Sequence, residues 1–385
     1  GKEASRLRRL VIVITMLFLV SSVTVYGDTG ASYYASVAKT ESTWLASLQL
    51  DNGAIGDTGA DSSGRTKITP YFADFAAMAL LESGTEYTEN VRKYIKWHFV
   101  HLNTAGQDIN GLSGTIYDYY EYLGNDGKVT KERVYRVKGR KFYDSTDSYA
   151  ATFLSLLWQY YRATGDRELL ALHRSDIDAV SHVMLSTMNK GLTMARPDYQ
   201  EKYLMDNAEV YRGAADGARL YAALFPDSVR GGLLKKSAVK IKAAVEKKMW
   251  NKRGHYYYSA LEKNGRPSSR FRWSRFYMDS TSQVFPVITG VISPKSKRAK
   301  LIYRSFNRHW STTAVKNHRW ELMKYPDEYY WGDLVYTAAI MGDKGRVKSS
   351  MKNYEAKVKK NSHGYPLYSA DCARVIMAAD IMSGL

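Results

Sequence analysis

The chain of 385 residues contains one cysteine, Cys372, and eight prolines, and its 38 Asp and Glu are well outnumbered by 56 Lys and Arg. A single thiol excludes a disulfide framework and a cysteine-rich zinc module. No proline-rich or serine-rich linker divides the sequence, so it reads as one large domain. A P-loop, a dinucleotide fingerprint, a Gly-x-Ser-x-Gly elbow and a His-Glu-x-x-His zinc motif are all missing. His98 and His101 come nearest to a metal-binding spacing, but they share their segment with Lys and Trp and read as packing residues. Neither a metal nor a cofactor is expected. What the chain has in plenty is tyrosine, 31 residues, and positive charge, a formal +18. Such a charge implies an anionic partner, be it nucleic acid, acidic polysaccharide or a lipid surface.

Lys2, Arg6, Arg8 and Arg9 precede an apolar run from Leu10 to Val20 that continues more weakly to Gly27. A positive segment followed by an apolar one is the pattern of an export signal. The run, about 16 residues, is short for a spanning helix. Residues 1–27 are therefore expected to be a signal peptide or an uncleaved membrane anchor acting through residues 10–25. Either places the protein outside the cell or on its surface. Residues 28–385 form the folded domain, expected to act as a monomer, and they keep most of the positive charge.

After Asp28 apolar residues recur at helical spacing in twelve segments, 34–50, 71–83, 87–102, 147–164, 167–189, 207–224, 231–250, 278–291, 295–310, 328–341, 344–359 and 370–383. Those at 71–83, 147–164, 207–224 and 370–383 are rich in Ala, Phe and Tyr and read as inner helices. Those at 231–250, 295–310 and 344–359 are loaded with Lys and Arg and read as an outer layer. Alternating inner and outer helices predict six helical hairpins closed into a ring, an all-α (α/α)6 toroid; the spacing of the inner helices is too irregular for a solenoid. Alternating stretches at 115–123, 133–143 and 255–262 predict short β-hairpin insertions.

In such a ring the loops entering the inner helices share one face, and each carries a carboxylate: Asp74, Asp144 and Asp147, Asp206 and Glu209, Asp279, Asp327 and Glu328, and Asp371. Helix capping accounts for acidic residues at these positions. It does not account for the aromatic residues beside them, among them Tyr71, Phe72, Tyr149, Tyr203, Tyr211, Tyr277, Tyr329 and Trp331. Carboxylates with flat aromatic faces suit a sugar chain, whose rings stack and whose hydroxyls bond to the acids.

The segment WLASLQLDNGAIGD (Trp44 to Asp57), followed by TDSYAATFL and MDNAEVYRGAAD, resembles the six-hairpin glycosidase superfamily of (α/α)6 barrels. Within it, unsaturated glucuronyl hydrolases are similar in placing one functional aspartate at the start of an inner helix and another at the start of the next, as Asp147 and Asp206 stand here. Their typical His-Asp pair is Thr146-Asp147 in this chain. The resemblance implies a glycoside hydrolase whose acid and base are carboxyls, with Asp147 and Asp206 as catalytic candidates. Glu209, one turn beyond Asp206, is an alternative acid, sugar ligand or capping partner. Asp51, Asp144, Asp279 and Glu321 are further candidates, the first three as substrate ligands with Tyr149, Tyr203, Tyr211, Tyr329 and Trp331.

Two basic clusters lie on loops entering inner helices. KVTKERVYRVKGRK (128–141) leads toward Asp147, and RPSSRFRWSR (266–275) places Arg270, Arg272 and Trp273 before Asp279. Guanidinium groups bind carboxylates, sulfates and phosphates through paired hydrogen bonds. The expected substrate is therefore an anionic extracellular polysaccharide or oligosaccharide, nucleic acid being disfavoured by the export segment. Two alternatives stand beside hydrolysis: a polysaccharide lyase on a similar toroid, and a non-catalytic glycan-binding envelope protein.

Overall fold

A computed structural model describes residues 29–311 and 318–384. The segment read as a signal or anchor, residues 1–27, lies outside the described residues. Among those described, no helix is long and apolar enough to cross a membrane.

Six inner helical segments form a closed ring. They are α2 (Pro70–Ser83), α4 (Asp147–Thr164), α7 (Leu204–Leu224), α9 (Phe285–Ile288), α11 (Gly332–Ile340) and α13 (Ser369–Ser383). Each packs on the next, and α13 packs back on α2, which closes the circle. Outside them run α1 (Thr29–Ser47), α3 (Thr88–Val100), α6 (Arg174–Leu185), α8 (Val229–Ala244), α10 (Lys297–Trp310) and α12 (Lys344–Asn361). The expected all-α toroid of six hairpins is what the chain forms.

Local chemistry sets these boundaries. Pro70 opens α2, where its missing N–H costs nothing, and Gly165 ends α4 with a φ of 67°. Ser296 and Asp343 cap α10 and α12 by accepting the backbone N–H of Ala299 and Arg346. Small residues allow the inner helices to approach one another. A Cβ at Gly213 of α7 would lie 2.6 Å from Cα of Ala151 on α4, so that contact admits no side chain.

Three expected helices differ. The segment 167–189 divides into α5 (Arg167–Leu172) and α6, because His173 turns back to bond Asp176. The segment 278–291 shrinks to a π-type turn at 276–280 and the four residues of α9, since Pro286 cannot donate into a helix continuing from upstream. The segment 328–341 becomes helical only at Gly332.

Every strand lies in a connection that enters an inner helix, while the returns at 84–87, 225–228 and 341–343 are short. One face of the ring therefore carries all the elaboration. There β1 (Arg65–Ile68), β2 (Tyr119–Leu123) and β3 (Val129–Val134) form an antiparallel sheet in sequence order. Tyr119 to Leu123 falls within an expected hairpin; β1 was not anticipated. Cys372 on α13 is fully buried, its Sγ 3.4 Å from Oε2 of Glu41 on α1.

Candidate active site

On the elaborated face the ring opens into a cup of about 500 Å³. Among its described lining residues seven are Asp or Glu, and two, Lys67 and Arg374, are cations.

The α7 side is built from the first turns of that helix. Asp206 faces the cup, and Glu209 sits one turn deeper, where Oε1 accepts the hydroxyl of Tyr71 at 2.5 Å. Burial holds the Asp206 carboxyl well above the ordinary carboxylate range, and the neighbouring Asp147, Glu209 and Asp144 push it further the same way. Burial also pushes Glu209 up to about 8, with the Tyr71 hydroxyl working against it.

The α13 side lies opposite, because α7 is third and α13 sixth in the ring. Asp371 is 3% exposed, and its Oδ1 accepts the backbone N–H of Gly332 at 2.8 Å. Its Oδ2 is buried without a hydrogen-bond partner among the described residues. Burial raises this carboxyl well above its usual range too, and the Asp333 charge adds to it, while the Gly332 N–H, the Tyr329 hydroxyl and the Arg374 charge pull it down. Arg374, one turn further along α13, bonds Asp333 Oδ1 at 2.8 Å and lies over the ring of Phe75, 4.3 Å from its centroid.

The small sheet supplies a third group. Lys67 on β1 pairs with Asp118 Oδ2 at 3.0 Å, and Asp118 Oδ1 accepts the Tyr149 hydroxyl at 2.8 Å. Aromatic faces fill the spaces between the acids. Tyr71 stacks on Tyr149 with centroids 6.0 Å apart, and Tyr277, 55% exposed at the mouth, stacks on Trp331 at 5.4 Å. Tyr329 meets Trp331 edge-on.

Of the residues singled out in the sequence, Tyr71, Phe72, Asp144, Tyr149, Asp206, Glu209, Tyr277, Asp327, Tyr329, Trp331 and Asp371 converge on the cup. Tyr203 lines an adjoining recess of about 320 Å³ with Arg196 and Tyr199. The others lie elsewhere. Asp147 is fully enclosed behind the lining, with Oδ2 accepting Thr193 Oγ1 at 2.7 Å and Oδ1 accepting the Ser148 N–H at 2.8 Å. It reaches the cup through its charge on Asp206 and Glu209. Asp279 is occupied by Ser259, Arg275 and the Arg272 N–H, so it fixes the 266–275 loop. Asp51 receives the Val129 N–H of the sheet, and Glu321 holds Ser311 and Arg319. Tyr211 lies against Lys242 of the outer layer, and Trp273 stacks on His309. Arg270 and Arg272 are exposed outside the cup. A basic loop beside an inner helix does not put its side chains in the opening that the helix lines.

Lys67, Asp118, Asp333 and Arg374 were missed. Asp333 carried a readable signal, standing two residues beyond Trp331 at the start of an inner helix, and Arg374 is the lone cation in its helix. Among the described residues no group of three or more His, Cys, Asp or Glu is placed to hold a metal ion.

No protein-family model matches the chain, and no curated protein does. Its fold is similar to that of solved glycosidases. A wild-type glycosidase superposes with a TM-score of 0.61 at 10% identity, covering 91% of this chain and 97% of its own. A GH63 mannosylglycerate hydrolase from Thermus thermophilus in complex with glucose gives 0.59 at 10% identity, over 89% and 99%. A novel alpha-amylase from Clostridium perfringens gives 0.57 at 9%, over 90% and 97%.

Proposed function

We propose that the protein is a glycoside hydrolase, with Asp206 as general acid and Asp371 as the carboxylate opposite it. The reading rests on how differently the two are surrounded. The side chains that perturb Asp206 are all carboxylates, and they favour its protonated form. Burial and the Asp333 charge raise Asp371 as well, but the Gly332 N–H, the Tyr329 hydroxyl and the Arg374 guanidinium favour its ionised form. Two carboxyls whose neighbours favour different protonation states across a sugar-sized opening are what acid–base cleavage of a glycosidic bond needs.

Asp206 gives its proton to the departing oxygen while the ionised Asp371 takes a proton from water or attacks the sugar carbon. Tyr71, Tyr149, Tyr277 and Trp331 provide faces for sugar rings. Glu209, held by Tyr71, closes the floor beneath Asp206.

The anionic substrate expected from the basic loops gains little support from the cup. Lys67 and Arg374 are each paired with an aspartate, and the surplus of carboxylates repels further negative charge. A neutral sugar chain fits better. If residues 1–27 act as an export segment, that chain is met outside the cell or at its surface.

The test is a panel of neutral and acidic glycans with product analysis. New reducing ends, lost on Asp206→Asn but partly retained by that variant on aryl glycosides with a good leaving group, are the expected result. Products carrying an unsaturated ring would point to a lyase and overturn the reading, as would undiminished activity in Asp206→Asn.

A further inference from the structure

We infer that the outer wall formed by α8, α10 and α12 is a docking surface for an anionic lipid bilayer. The wall is continuous. Arg298 of α10 reaches Glu246 just beyond α8 at 3.4 Å, and Tyr303 of α10 bonds Asp343 at the start of α12 at 2.9 Å. On these three helices every fully exposed charged side chain is positive, for example Lys236, Lys240, Lys300, Arg304, Lys348 and Lys352. Asp343 and Glu355, the acidic residues at the start of α12 and within it, are engaged by Arg346 and Tyr33. Across the ring from α10, the outer helix α3 carries a mixed set, with exposed Glu89, Lys93 and Lys96. The charge is therefore one-sided. A merely solvated outer layer would have no reason to be so.

Charge alone would suit any polyanion. The second observation is on α8, where Val229, Leu233 and Val239 are 82%, 55% and 67% exposed among the lysines. A soluble polyanion offers those aliphatic side chains nothing, and a single-stranded nucleic acid would call for aromatic faces to stack on. A bilayer interface takes both kinds of group, the cations at its headgroups and the aliphatic residues at the acyl boundary. Tyr33, early in α1, bonds Glu355 of α12 at 2.7 Å, so the chain enters the domain beside this wall. The wall lies outside the ring, and the inference does not depend on the chemistry of the cup.

The test measures co-sedimentation of the full chain with vesicles of phosphatidylcholine, alone or with about a third phosphatidylglycerol, at moderate salt. One variant combines Lys236→Glu, Lys240→Glu, Lys300→Glu and Lys348→Glu. A control carries as many reversals on the hairpin loop: Lys128→Glu, Lys131→Glu, Arg133→Glu and Lys138→Glu. Any insertion by residues 10–25 is common to both. The wall variant should lose at least about tenfold in affinity for the anionic vesicles, and the control less than about threefold, with thermal stability and hydrolysis of soluble substrate unchanged in both. Equal losses in the two variants would overturn the proposal, as would a loss just as large on phosphatidylcholine alone. A third variant, Val229→Ser, Leu233→Ser and Val239→Ser, should weaken vesicle binding but not binding to polyphosphate. If vesicle binding survives it intact, or polyphosphate binding falls equally, the aliphatic residues no longer single out a bilayer and the proposal is overturned.

Discussion

The α7 side and the α13 side of the cup each present a buried carboxyl to the same space, yet their neighbourhoods differ. Around Asp206 stand Asp147, Glu209 and Asp144; around Asp371 stand the Gly332 N–H, the Tyr329 hydroxyl, Asp333 and Arg374. Burial raises both, so burial cannot distinguish them. The donors and the cation that only Asp371 meets do, and an acid and a base can arise from two aspartates at equivalent places on opposite helices.

The sharpest way to break this contrast is to remove each carboxyl. Asp206→Asn and Asp371→Asn should each lower kcat by about 10³-fold on an unactivated glycoside. With a good leaving group Asp206→Asn should recover much of its rate and Asp371→Asn should not. Matching recovery in both would erase the assignment. Next in size is Arg374→Met, which takes away the cation that distinguishes the α13 side. Its kcat at neutral pH should fall about tenfold, with the acidic limb of the pH profile moved up by about one unit because Asp371 ionises later. An unshifted limb would mean that Arg374 serves packing alone. A smaller effect is expected of Asp147→Asn. Without that charge Asp206 loses its proton at lower pH, so the alkaline limb should move down while activity near neutrality stays within about tenfold. Complete loss would return Asp147 to the chemistry itself.

The smallest effect concerns stability. Glu209 has a folded-state value of about 8, raised above the usual ~4.3 of an exposed glutamate, so the folded state holds its proton more tightly. The stabilisation is present in full below the unfolded value and is lost as pH rises through about 8. The melting temperature should therefore fall between about pH 4 and pH 8, and Glu209→Gln should flatten that slope by a few degrees. A slope unchanged in Glu209→Gln would assign it to other buried carboxyls such as Asp57, also raised to about 7.

The ring itself was legible because helical periodicity and the contrast between Ala-rich and Lys-rich segments report burial directly. The elaborated face was legible too, since carboxylates and aromatic residues gathered at each inner-helix entry. What spacing could not convey is which way a side chain turns. Asp147 and Asp206 both open inner helices, yet Thr193 and the Ser148 N–H draw the first behind the lining. Arg270 and Arg272 sit in a loop tied down at Asp279 and stay outside the cup. Lys67 and Asp118 come together only through strand pairing across more than fifty residues, and no local pattern announces such a contact. The basic helices were read only as an outer layer, and their collection on one side becomes visible only once the ring is closed.

Cys372 has a practical consequence. The chain holds no other thiol, and this one is sealed beneath α1, with burial raising it well above its usual range. A cysteine introduced at the mouth, in place of Tyr277 for instance, would be the sole site open to maleimide labelling. A fluorophore placed there could report sugar entering the cup without any background residue having to be removed first.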